Sequence, residues 1–271
     1  MRVKRRLVGW SHIVAAVFFL TTLWFAFPTI KNIVLPPEIT AVQRGQVLAD
    51  QLGCFRCHGP DGKGGIPNPG SQDETVPGFQ GGMLVMYAHN DQEIREYILD
   101  GMPASRRNDR EYLAQIEKQA LRMPKYQGAV SAEEVAALVS YVKAASAFVS
   151  PSPGTPEAKG MDVAYRNGCL SCHNVMGAGG LKNPGSLKGY IPGWWGEDFD
   201  ELVRDEAELR EWIEEGKLKR LLEHPIARHF VEGQRVQMPA YKKFLKPEEI
   251  TELIRFVQWV RKEHGKIAGS S

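Results

Sequence analysis

The stretch CFRCHG, residues 54–59, decides how this chain is interpreted. It places Cys54 and Cys57 three positions apart, with His58 directly after the second cysteine. A second stretch, CLSCHN, repeats the pattern with Cys169, Cys172 and His173. The two stretches hold all 4 cysteines of the 271-residue chain, so whatever chemistry the cysteines serve occurs twice.

The CxxCH motif belongs to an internal repeat with an offset of 115 residues, the separation of Cys54 and Cys169. The same offset superimposes NPGS on NPGS, PGF on PGW and Met123 on Met238 without a gap. A self-similarity of this length indicates two copies of one domain. We predict a first domain over 38–148, a second over 161–271, and between them a Pro-rich, extended linker over 149–160.

Each copy has the pattern of a small all-α domain with large loops. Apolar residues recur at helical spacing before each cysteine motif and at the end of each copy, and no alternating pattern is long enough for a strand. A helix of about 13 residues is predicted before each motif. Helix starts and stops are predicted from capping signals at Asn90 with Glu93, Asp205 with Glu208, Ser131 with Glu134, Pro247, Gly101 and Gly216.

Four interpretations of CxxCH compete. A zinc site takes two closely spaced ligand pairs, whereas these pairs are far apart in the chain. A thioredoxin-like dithiol follows a strand, and the context here is helical. Plain disulfides need no histidine. Covalent haem attachment is favoured, because two cysteines three positions apart lie on one side of a helical turn and direct the adjacent histidine at the iron.

On these motifs, each copy resembles a class I c-type cytochrome domain, and the chain resembles a membrane-anchored dihaem cytochrome c. The resemblance covers roughly residues 40–145 and 156–262 and rests on CxxCH, the NPG loop and Met-Pro before a C-terminal helix. It implies two covalently bound haem c groups, attached through Cys54, Cys57, Cys169 and Cys172.

The resemblance also implies the iron ligands. The proximal ligands would be His58 and His173, and the distal ligands Met123 and Met238. The repeat supports this choice, because the alternative Met102 aligns with Lys217, which cannot ligate as a protonated amine. The proline carbonyl that accepts the proximal histidine's hydrogen is predicted at Pro69 and Pro184.

Other polar and sulfur side chains leave alternatives open. Tyr126 and Tyr241 either hydrogen-bond a haem propionate or pack with the hydroxyl in water. Surface positions are predicted for His89, His224 and His229, and core gap-filling for Met83, Met86 and Met176.

The N-terminal segment is apolar between residues 7 and 27, where it contains no Lys, Arg, Asp or Glu. As a helix it would extend roughly 31 Å, enough for a hydrocarbon core. Residues 1–35 are therefore predicted to form a basic tip and a single-pass anchor in the cytoplasmic membrane. The four basic residues before the apolar run predict a cytoplasmic N-terminus and haem domains on the periplasmic face.

The charge distribution predicts that the protein does not bind nucleic acid. The chain has 34 basic and 32 acidic residues, but five basic ones precede the first acidic residue, Glu38, which leaves 29 against 32 in the rest. No basic face is evident there.

The function expected from the resemblance is one-electron transfer without catalysis. A Met/His pair fills both axial positions, so peroxide and oxygen have no free site. The expected partners are a membrane redox complex and a soluble electron carrier. Two alternatives stay open: a dihaem peroxidase, and a subunit of a haem-copper oxidase of the cbb3 kind.

Overall fold

The computed structural model describes residues 12–22, 39–80 and 82–268. The chain divides into two compact units, Met1–Glu38 and Ile39–Ser271. In the first unit, residues 12–22 are helical and their side chains are exposed.

The predicted membrane anchor is not supported. Within the described residues, no helix combines the length and the apolar character that crossing a membrane requires. Residues 7–11 and 23–27 of the predicted span lie outside the described residues. The prediction of a single-pass anchor, and the inner-membrane location and periplasmic orientation derived from it, are corrected accordingly.

The described part of the second unit is all-α, as predicted. The first copy of the repeat contains helices α1 Ala41–Gln51, α2 Cys54–His58, α3 Asp91–Asp100, α4 Arg110–Lys118 and α5 Ala132–Ala145. The second copy contains α6 Pro156–Arg166, α7 Cys169–His173, α8 Glu197–Leu202, α9 Glu206–Glu215, α10 Lys219–Glu223, α11 Pro225–Gly233 and α12 Pro247–Ala268. Short 3₁₀ turns occur at Pro60–Gly62, Met83–Met86, Ala104–Arg106, Val175–Gly177 and Tyr241–Lys243.

The capping signals mark the helix starts, with one difference in detail. Asn90 and Asp205 accept hydrogen bonds from the backbone of Glu93 and Glu208, as predicted for N-caps. The glutamates, however, accept from the residue before the cap: Glu93 from the backbone of His89 at 2.9 Å, and Glu208 from that of Arg204 at 2.9 Å. A reciprocal capping box forms at Ser131 with Glu134. Helices α3 and α9 end at Gly101 and Gly216 in the left-handed conformation.

Within the described residues, the loops contain two isolated bridges and no strand. Pro67 pairs with Thr75 and Lys182 pairs with Tyr190, each closing the NPG loop of its copy. The segment predicted as an extended linker is helical in its last five residues, because Thr155 caps α6 and Pro156 occupies its first turn, where the missing N–H costs nothing.

Each copy is held together by a close crossing of its first and last long helices. Helix α1 packs on α5, and α6 packs on α12. A glycine stands at each crossing point: a Cβ on Gly45 would lie 2.0 Å from the carbonyl oxygen of Ala137, and one on Gly160 would lie 1.9 Å from that of Glu252. The two backbones can approach this closely only where a side chain is absent.

We expect Gly160→Ala to lower the free energy of unfolding by about 1–3 kcal/mol, because the added methyl must push α6 away from α12. The matched control is Gly265→Ala in α12, where a Cβ would meet nothing within 4 Å. That substitution should stabilise the protein by about 0.5–1 kcal/mol through helix propensity. Denaturant unfolding of both variants checks the prediction, and equal midpoints would contradict it.

Candidate functional site

Each CxxCH motif forms one short helical turn between two residues of positive φ. In the first copy these are Gly53 (φ 77°) and Gly59 (φ 74°), and in the second they are Gly168 (φ 72°) and Asn174 (φ 62°). Side chains three apart on a helix lie on the same face. The turn therefore brings the two thiols of each motif to one side. All four cysteines are free, and burial raises the pKa of the Cys54 and Cys169 thiols.

The histidine of each motif is oriented by a backbone carbonyl. His58 Nδ1 donates to the carbonyl oxygen of Pro77 at 2.8 Å, and His173 Nδ1 donates to that of Pro192 at 3.0 Å. A carbonyl only accepts, so the ring proton resides on Nδ1 and the Nε2 lone pair is available to a metal. Burial lowers the pKa of both imidazoles, and the bond to the carbonyl offsets part of this effect. Both rings are held neutral, as ligation requires.

This geometry corrects the prediction for Pro69 and Pro184. Their carbonyls do not face the histidines: Pro69 accepts from the backbone of Ala120 and Pro184 from that of Arg235, both at 2.9 Å. The NPG loop closes on the segment before the methionine instead. The residues that hold the histidines, Pro77 and Pro192, belong to the PGF and PGW stretches, whose recurrence at the 115-residue offset was the available signal.

The asparagine of each NPG loop is hydrogen-bonded to the segment before the predicted methionine ligand, a contact that the sequence analysis did not predict. Asn68 is buried, and its Oδ1 accepts from the backbone N–H of Leu121 at 2.7 Å while its Nδ2 donates to the Leu121 carbonyl at 3.1 Å. Asn183 makes the same pair of bonds with Val236, at 2.8 and 2.9 Å. Each clamped residue stands two positions before the predicted methionine ligand.

The predicted distal ligands, Met123 and Met238, occupy equivalent places in the two copies. Both are half-buried and pack against the core. The carbonyl of each lies against the glycine that ends the preceding helix: a Cβ on Gly101 would be 2.6 Å from the Met123 oxygen, and one on Gly216 would be 2.2 Å from the Met238 oxygen. Ligation by these sulfurs stays a prediction.

The repeated tyrosines bond to the CxxCH turn. Tyr126 donates to the carbonyl of Leu52 at 3.2 Å, and Tyr241 donates to that of Asn167 at 3.1 Å. Each tyrosine thus ties the segment after the methionine to the start of the CxxCH turn, an arrangement that neither prediction for these residues included.

An aromatic ring lies beside each proximal histidine. The Phe79 ring is 5.4 Å from His58, and the Trp194 ring is 5.5 Å from His173. His89, His224 and His229 are exposed. Met176 is buried, as expected of a gap-filling residue, whereas Met83 and Met86 are exposed and the prediction for them is wrong.

The two cysteines and one histidine of each copy fit covalent attachment of a haem. They do not fit a metal ion held by protein side chains alone. In the part of the chain that the structure describes, no three His, Cys, Asp or Glu side chains are grouped to hold a metal ion. Each copy instead offers two free thiols on one helical face and one imidazole with an available Nε2.

The comparisons with known families cover both copies. Residues 42–146 match the family model described as Cytochrome c, and residues 156–257 match the one described as Cytochrome C oxidase, cbb3-type, subunit III. No curated protein and no solved structure matches the chain. The two matched ranges correspond to the two copies of the repeat.

Proposed function

Because the chain belongs to the c-type cytochromes, with two cytochrome c-type domains in tandem, we propose that it carries single electrons on two haem c groups. The observation that carries this proposal is the duplicated CxxCH turn whose histidine has Nδ1 bonded to a proline carbonyl. Haem c supplies the one-electron chemistry when bound.

The residues of each copy have separate roles in this proposal. The two thiols of a motif would tether the group. The histidine would offer Nε2 as a ligand, with its orientation fixed by the proline carbonyl. The methionine would offer a thioether, a ligand that raises the reduction potential relative to a second histidine.

The duplicated methionine supports a carrier over a peroxidase. An enzyme that reduces peroxide needs one site open to its substrate. Here the asparagine clamp and the methionine recur in both copies with nearly the same distances, which supports two closed sites.

We propose a larger redox complex as one partner of the chain and a soluble electron carrier as another. The match of residues 156–257 to subunit III of cbb3-type oxidase supports an oxidase of that kind as the electron acceptor.

The test is an anaerobic titration of the full chain with a one-electron reductant. We expect uptake of two electrons per chain, because each copy holds one centre. Hydrogen peroxide added afterwards should not be consumed catalytically. Sustained peroxide turnover would favour the enzyme, and uptake of one electron would contradict the pair of centres.

A further inference from the structure

The turn after the second CxxCH motif is mostly buried, whereas four of the seven residues in the equivalent turn of the first copy are exposed. We define residues 59–65 as the first proximal turn and residues 174–180 as the second proximal turn. Met176 in the second is 0% exposed, while the aligned Asp61 in the first lies at the surface. Both turns have the same backbone course, with φ of 48° at Met176 and 54° at Asp61. The difference therefore comes from what covers them.

The second proximal turn is covered by the first copy. Its 3₁₀ segment, Val175–Gly177, packs against α5 of the first copy as well as α12 of the second. Helix α1 of the first copy adds two hydrogen bonds. Gln43 Nε2 donates to the Ala178 carbonyl at 2.7 Å, and Asn174 Nδ2 donates to Gln46 Oε1 at 2.7 Å.

The fit between the copies is close at this point. A Cβ on Gly180 would lie 2.5 Å from the Gln43 side chain, whereas one on the equivalent Gly65 would meet nothing within 4 Å. The two glutamines that make these bonds also have no counterpart in the second copy. The positions that align with Gln43 and Gln46 are Ala158 and Met161, which cannot make these bonds.

The second proximal turn is hydrogen-bonded to the two segments that carry His173 and its acceptor, Pro192. The Gly179 N–H donates to the His173 carbonyl at 2.7 Å, and the Gly180 N–H donates to the Ile191 carbonyl at 2.9 Å. The next residue after Ile191 is Pro192, the acceptor of the imidazole proton. A displacement of the turn would therefore move the imidazole and its acceptor together.

We propose that Gln43, Gln46 and Asn174 form a clasp through which the first copy positions His173 and excludes water from the second redox site, giving that site the higher reduction potential. The inference rests on the proposed carrier function. An oxidised iron carries one more positive charge than a reduced one, and burial penalises charge. Solvent exclusion is one of the means by which a protein sets a haem potential. In the first proximal turn, by contrast, Pro60, Asp61, Lys63 and Gly65 are exposed.

The first variant is Gln46→Ala, which removes the bond between Gln46 and Asn174 alone. The second is Asn174→Gly, because glycine accepts a φ of 62°. It removes that bond together with the Asn174 bonds to the Gly179 carbonyl and the Val175 N–H. We expect each variant to lower the reduction potential of the second site by about 59 mV, which for a one-electron couple is about a tenfold change in the equilibrium constant for reduction. The potential of the first site should stay unchanged. The double variant should match Asn174→Gly, since Gln46 has already lost its Asn174 partner in that variant.

The matched control is Gln51→Ala at the exposed end of the same helix, which should leave both potentials unchanged. Potentials are read by spectroelectrochemical titration of the full chain after mass spectrometry has counted the attached haems. The second midpoint is identified as the one that Met238→His moves. Two haems with potentials that neither clasp variant changes, or a second potential below the first, would overturn the clasp and leave the carrier function standing. Fewer than two haems would overturn both.

Discussion

A chain carrying Cys169→Ala and Cys172→Ala is expected to retain one covalently bound haem instead of two. The two thiols lie on one face of α7, within the turn that ends in His173. Because each thiol supplies one thioether bond, removing both leaves the second group without a covalent anchor. The first copy has its own pair and should be unaffected.

The measurement is the mass of the denatured chain, together with the pigment released by acid and acetone. Denaturation matters, because the count then does not depend on whether the variant folds. The matched variant, Cys54→Ala with Cys57→Ala, should lose the other group, and the four-alanine chain should carry none. A pair of haems surviving either double substitution would refute the attachment sites.

Replacing Met238 by histidine should lower the reduction potential of the second site by more than about 59 mV, a tenfold change for one electron. Histidine keeps the sixth position filled but replaces a thioether with an imidazole, and Met/His pairs have higher potentials than bis-histidine pairs. The near-infrared band of methionine-ligated ferric haem should fall to about half and disappear when Met123→His is added.

The control for this prediction is Met102→Leu. Met102 also precedes a proline, but it aligns with Lys217 and lies beside Gly101 at the end of α3. We expect its replacement to leave the band and both potentials unchanged. If Met102→Leu removed half of the band, Met102 would be the ligand of the first site, and the repeat-based assignment would fail.

The parts of the fold that sequence predicts well are those set by local chemistry. Asn90 and Ser131 mark helix starts because their side chains accept from backbone N–H groups three residues on. Gly101 and Gly216 mark helix ends because glycine tolerates left-handed backbone. The cysteine turns follow from their own spacing and from the repeat.

The parts that sequence predicts poorly depend on contacts between distant segments. The acceptors of the histidine protons, Pro77 and Pro192, are nineteen residues from their donors. Each loop has more than one proline that could have supplied that carbonyl, and nothing local distinguishes them. The burial of Met176 likewise depends on packing against a helix from the other copy. The apolar composition of residues 7–27 suggested a span on its own, whereas the described residues contain no helix that could form one.

The asparagine clamp on the methionine segment depends on two side-chain amides, Asn68 and Asn183, staying chemically intact. The Asn68 amide both donates and accepts across the loop, so conversion to aspartate would cost it the donor. That conversion starts when the next backbone nitrogen gives up its hydrogen and attacks the side-chain amide. In both clamps the next residue is a proline, whose nitrogen carries no hydrogen. The two amides are therefore protected from spontaneous deamidation by the residue that follows each of them.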